Sequence, residues 1–213
     1  VGLTAAALLS LLVGGCGFAT NATPGATSVP PTPPPASSPS GQPASGSPDT
    51  PEPSVDSHGV PDLEALLPTR VGDVDLERVS LTGPDFYATG SATNRSGLDT
   101  LLGRLGKTVA DLAVAEAGDP TGKAVLSVAI FRVRGADPSK LLAEWVTAQE
   151  AAGAGRISHA SVTVDGRALT KVVDSSRPVG GSTLVYVKGD SLFLVSADDQ
   201  ALVSSALAQL PTP

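Results

Sequence analysis

A single cysteine and two histidines in 213 residues leave little from which to assemble a catalytic or metal centre. Cys16 has no second thiol, so the chain can form no internal disulfide and offers no cysteine pair to zinc. His58 falls in a Pro-rich stretch. His159 falls in a strand-like arm, on the face opposite Val162 and Val164, where it reads as a surface residue. Neither H-E-x-x-H nor G-x-S-x-G occurs. Gly106-Lys107-Thr108 looks like the end of a phosphate-binding loop, but the glycine required five positions earlier is replaced by Leu101, inside a helical pattern. Asp198-Asp199 reads as a helix start rather than a cation site. The sequence therefore predicts no catalytic residue, no metal, no cofactor and no enzyme.

Basic charge is missing from the first 60 residues. All 14 Lys and Arg lie beyond them, among 18 Asp and Glu, which gives that region a net charge of −4 and argues against nucleic acid as a partner. Long apolar runs are absent too. The longest near the start, Leu3 to Val13, falls short of the roughly 20 residues a spanning helix needs but matches the apolar region of a signal peptide. The chain begins at Val1 with no basic leader, so residues 1–15 are expected to be a signal peptide with a truncated n-region.

What is present begins at that run's end. Val13-Gly14-Gly15-Cys16 resembles the lipobox of bacterial lipoproteins. The resemblance implies that Cys16 is acylated, with palmitate among its lipids, and becomes the mature N-terminus. It also implies a chain held at the cell membrane, facing the extracytoplasmic side of the envelope. Residues 16–60 then form a lipidated cysteine followed by a Pro/Ser/Thr-rich disordered linker. Eleven of the 19 prolines lie between Asn21 and Val60, with almost no large apolar residue. Such a segment favours extended polyproline conformations with a reach on the order of 100 Å, which suits a spacer.

Residues 61–213 have the size of one domain with its own core. Asp62 can cap a short turn. A strand VDLERVSL follows, whose alternation slips near Glu77 and suggests a bulge. Ser96 to Asp99 has the shape of a capping box opening a helix with Leu98, Leu101, Leu102 and Leu105 on one face and Gly106 as its cap. Leu112–Ala117 and Lys123–Arg134 flank the turn-rich GDPTG, and the second of these strands, apolar on both faces, should be central. Asp137-Pro138 opens the clearest helix, with Trp145 facing the sheet. Hairpins are signalled at Asp165-Gly166 and Gly189-Asp190, and a last helix runs from about Asp198 to Pro211.

This order predicts an α+β fold: a single antiparallel β-sheet with helices packed largely on one face, preceded by the linker. A two-residue turn at Gly189-Asp190 puts Val185, Val187, Leu192 and Leu194 on one face and Leu184, Tyr186, Phe193 and Val195 on the other. Both rows are apolar, so something must cover each. Helices on one side and the N-terminal segment or a second subunit on the other would suffice. That arrangement fits a non-catalytic binding domain displayed on a stalk, with an unknown envelope protein as partner. The alternative is a cavity between sheet and helices that carries a lipid or other apolar ligand. The organisation of anchor, stalk and α+β domain resembles that of lipid-carrying lipoproteins of mycobacteria, which implies the carrier.

Overall fold

A computed structural model describes residues 56–153, 156–177 and 181–213; Cys16 and nearly all of the Pro-rich segment lie outside the described residues. The chain forms α1 (Pro61–Glu64), β1 (Arg70–Val71), β2 (Val74–Asp75), β3 (Glu77–Thr82), α2 (Gly83–Thr89), α3 (Ala92–Arg104), β4 (Leu112–Gly118) and β5 (Leu126–Val133). After these come α4 (Pro138–Gly153), β6 (Ile157–Val164), β7 (Arg167–Asp174), β8 (Ser182–Lys188), β9 (Ser191–Ala197) and α5 (Gln200–Gln209). Seven strands make one antiparallel sheet in the order β3-β4-β5-β9-β8-β7-β6.

The fold is α+β with a large antiparallel sheet, but the expectation of a single sheet is corrected. β1 and β2 pair only with each other, Arg70 opposite Asp75 and Val71 opposite Val74. The apolar alternation in VDLERVSL does break, and the break is a change of sheet rather than a bulge. Gly72 adopts φ +57°, which turns the chain back so that Val74 and Asp75 find a local partner. Leu76 then donates its N–H to the Thr69 carbonyl at 2.8 Å and buries its side chain, and only from Glu77 does the chain join the main sheet.

The hairpins follow their turn residues. Asp165 (φ +50°) and Gly166 (φ +76°) both sit in the left-handed region, the signature of a two-residue type I′ turn, and set Val164 opposite Arg167. Gly189-Asp190 sets Lys188 opposite Ser191. β5 is interior, buried along most of both faces.

Except at α1, where Val60 precedes the helix with no side-chain cap and Asp62 lies inside it, the helix starts depend on hydroxyls and carboxylates. Asp137 accepts from the Ser139 N–H at 3.0 Å at the start of α4, and Asp199 from the Ala201 N–H at 2.7 Å at the start of α5. The start of α3 differs from the capping box read at Ser96. Ser91 is the cap, accepting from the Asn94 N–H at 3.2 Å, and Ser96 lies inside the helix. Leu98, Leu101 and Leu102 are buried as the pattern required. The far end is a Schellman motif: Gly106 takes φ +67°, Lys107 donates its N–H to the Leu102 carbonyl at 2.8 Å, and Gly106 to that of Gly103 at 3.1 Å.

The sheet is buried on both sides. One core joins α2, α3 and α4 to it through Phe86, Leu98, Leu101, Leu102, Leu141, Trp145 and Val146. The other, on the opposite face, joins α1, the β1–β2 hairpin and α5 through Leu63, Leu67, Val71, Val203, Ala206 and Leu207. Three layers result. α2, α3 and α4 share one face, and α1, the β1–β2 hairpin and α5 cover the other.

Candidate functional site

The two apolar rows on β8 and β9 stand where the turn places them. Val185, Leu192 and Leu194 belong to the core under α4, with Val187 half-buried at its margin. Leu184, Tyr186, Phe193 and Val195 belong to the core under α5 and the N-terminal segment. Leu184 is 8 % exposed and the other fully buried members of either row at most 3 %. Tyr186 stacks on Phe193 with ring centroids 4.9 Å apart, and its hydroxyl donates to the Pro211 carbonyl at 2.7 Å. The tail beyond α5 is thereby fastened over this row. Burial pushes the Tyr186 hydroxyl up to about 12. Arg167 reinforces the closure by donating to the Leu210 carbonyl at 3.3 Å.

Polar groups intrude on the α4 face at one end of the sheet. Glu116 sits on β4 between Val79 of β3 and Ala129 of β5, pointing to the same side as Val114. It is buried, and Ser127 Oγ donates to its Oε1 at 2.8 Å. Desolvation pushes its carboxyl up to about 7, against the smaller opposing effect of the Ser127 hydrogen bond. One strand further on, the Thr183 and Ser196 hydroxyls share a hydrogen bond of 2.7 Å. The indole Nε1 of Trp145 is buried without a hydrogen-bond partner. The sequence offers one sign of Glu116's position. It is the only charge in LAVAEA, a strand otherwise apolar on both faces.

Both histidines are bound to carboxylates. His58 Nδ1 lies 3.0 Å from Glu64 Oε2, and this carboxylate also accepts from Ser80 Oγ at 3.0 Å. Ser80 Oγ in turn accepts from the Val60 N–H at 3.0 Å. Acyl transfer needs histidine between serine and carboxylate to take the serine's proton, whereas here the carboxylate is in the middle. The cluster is a clasp that holds the entering chain on β3. The hydrogen bond that His58 donates to Glu64 raises the His58 pKa. His159 is on β6, with Nδ1 2.7 Å from Glu150 Oε1 of α4, half exposed as a surface residue.

The remaining sequence motifs have local uses. Asp119, in GDPTG, accepts from the N–H groups of Thr121 and Ala124 at 2.8 Å each and from the Thr121 hydroxyl at 2.7 Å, which draws its carboxyl down to about 2. Gly106-Lys107-Thr108 ends α3, and Asp199 caps α5. Among the described residues no group of three His, Cys, Asp or Glu has the arrangement of a metal site. None of the described helices is long and apolar enough to cross a membrane. Compared with known proteins, the chain matches no family model, no curated protein and no solved structure.

Proposed function

We propose that this chain is a bacterial lipoprotein acylated at Cys16, anchored in the cell membrane and facing the extracytoplasmic side, whose domain binds a protein of the envelope rather than catalysing a reaction. The observation that supports binding over lipid carriage is the filling of both apolar rows by the chain's own side chains. A cavity wide enough for an acyl chain would leave its lining residues with open surface, yet Val185 is fully buried and Leu192, Leu194 and Val195 are each 1 % exposed. The histidines, each committed to a glutamate on the surface, support a non-catalytic role in the same way.

The anchor is tested by Cys16→Ser. The mature natural protein should partition into the detergent phase of a cloud-point separation. The variant should accumulate as unprocessed precursor, because no other residue supplies the thioether. Labelling of the variant with a fatty-acid probe to the natural level would refute the assignment. For the domain, Val185→Trp and Leu184→Trp each enlarge one row. In packed cores each should cost about 1 to 3 kcal/mol in denaturant unfolding. If either variant keeps full stability while abolishing binding of an apolar fluorescent probe by the natural chain, that row lines a cavity and the carrier is the correct function.

A further inference from the structure

The two edges of the seven-stranded sheet are treated differently. At β3 the entering chain lies along the strand: Ser80 donates its N–H to the Ser57 carbonyl at 2.8 Å and accepts at its own carbonyl from the Gly59 N–H at 3.0 Å. Glu77 and Arg78 add charge to that edge. β6, the opposite edge, has none of these protections among the described residues. From Ile157 to Val164 it holds no Lys, Arg, Asp, Glu or Pro, it runs without a bulge against β7, and Ser158 to Ser161 are all exposed. Long, regular, uncharged edges of this kind are templates for another strand.

The backbone sets what such a strand would meet. The two-residue turn at Asp165-Gly166 makes Val164 and Arg167 a hydrogen-bonded pair, and bonding then alternates along the hairpin. At its far end Ser175 donates to the Arg156 carbonyl at 3.0 Å, which confirms that the even-numbered residues face β7. Ile157, His159, Ser161 and Thr163 therefore direct their N–H and C=O groups outward.

We propose that β6 pairs antiparallel with β6 of a second copy of this chain, about a two-fold axis at Ala160, joining two sheets into one. A two-fold normal to the sheet must set some residue opposite its own copy. Centred on Ala160, it puts Ile157 opposite Thr163 and His159 opposite Ser161, so that every outward group of the strand is bonded. Centred on Ser161, it would set Ile157 against Asp165, whose φ of +50° takes it out of the extended strand. Charge favours the same partner and direction. Arg156 and Asp165 flank the strand, and antiparallel pairing brings Arg156 of each copy opposite Val164 of the other, one residue from its Asp165. Parallel pairing would oppose like charges. The Pro-rich segment of the chain is a poor occupant because proline has no N–H to donate.

The full chain carrying Cys16→Ser, kept in a mild detergent, should show a monomer–dimer equilibrium by sedimentation. Ala160→Lys sets two ammonium groups opposite each other at the axis and should weaken the dimer at least tenfold. Ala160→Glu should do the same, and an equimolar mixture of the two should restore dimers as the mixed species. Ala160 is exposed, so both variants should keep the natural circular dichroism. As a non-hydrogen-bonded pair, the two Ala160 Cα atoms would lie about 4.5 Å apart, within disulfide reach. Ala160→Cys should therefore cross-link on mild oxidation more completely than Ser161→Cys. A chain that is monomeric up to about 0.1 mM and does not cross-link overturns the proposal, as does a dimer indifferent to the charge variants. A monomer that instead captures an extended peptide of another protein along β6 overturns it by naming a different occupant.

Discussion

At the scale of single residues, Glu116 makes the domain's stability depend on pH. Its carboxyl titrates near 7 in the folded chain and near 4.5 when unfolded. Between those values the unfolded chain has released the proton while the folded chain keeps it, so folding takes up a proton and stability falls as pH rises. The stabilisation is complete below about 4.5 and is lost by about pH 7, a change on the order of 3 kcal/mol. Glu116→Gln retains an acceptor for Ser127 and removes the titration. Urea midpoints measured from pH 5 to 8 should decline for the natural chain and stay nearly level for the variant, which should be the more stable of the two at pH 8. An undiminished decline in the variant would place the titrating group elsewhere. His58, raised by Glu64, has the same sign but acts above 6.5. Asp119, drawn down to about 2, has the opposite sign and acts only in acid, below 3.8.

Among the elements, α2 marks where local reading stops. Gly83-Pro84 looks like a break in the chain, yet Thr82 caps a helix there, accepting from the Asp85 N–H at 3.4 Å, with Pro84 in the first turn. The glycine answers a long-range need. A Cβ at Gly83 would run into the carbonyl oxygens of Val109 and Leu112, which approach from the segment entering β4. Gly83→Ala should therefore cost about 3 kcal/mol, seen as a lowered urea midpoint, while Gly103→Ala, with open space at its Cβ, should lose nothing. The hairpins at Asp165-Gly166 and Gly189-Asp190, and the split of the β8–β9 side chains into two rows, were legible because a turn and a period of two determine them. The placement of β5 beside β9 and the departure of β2 to its own sheet were not, and the burial of Glu116 showed only as a lone charge in an apolar strand. Which distant strand comes to lie beside β5 is encoded by no residue near it.

For the molecule as a whole, the packed chain reaches back past α1 to the bonds of Ser57 and Gly59 with Ser80 and to buried Val60. A chain beginning at Asp56 should keep the thermal midpoint of the longer one. Beginning at Pro61 removes those bonds and the burial of Val60 and uncovers the β3 edge, which should cost about 2 kcal/mol and several degrees. Equal midpoints would show that this strap contributes nothing. The pairing of β5 with β9 has a consequence of another kind, in time rather than in energy. Residues 134–190 lie between the two strands, so a chain emerging from its N-terminus presents β3, β4 and β5 as an incomplete sheet until β9 has emerged. Closing so long a loop is slow, and the waiting edge of β5, with Val128, Ile130 and Phe131, is apolar on both faces. During that interval the nascent chain needs a holding factor, or a rate of emergence that outpaces its own aggregation.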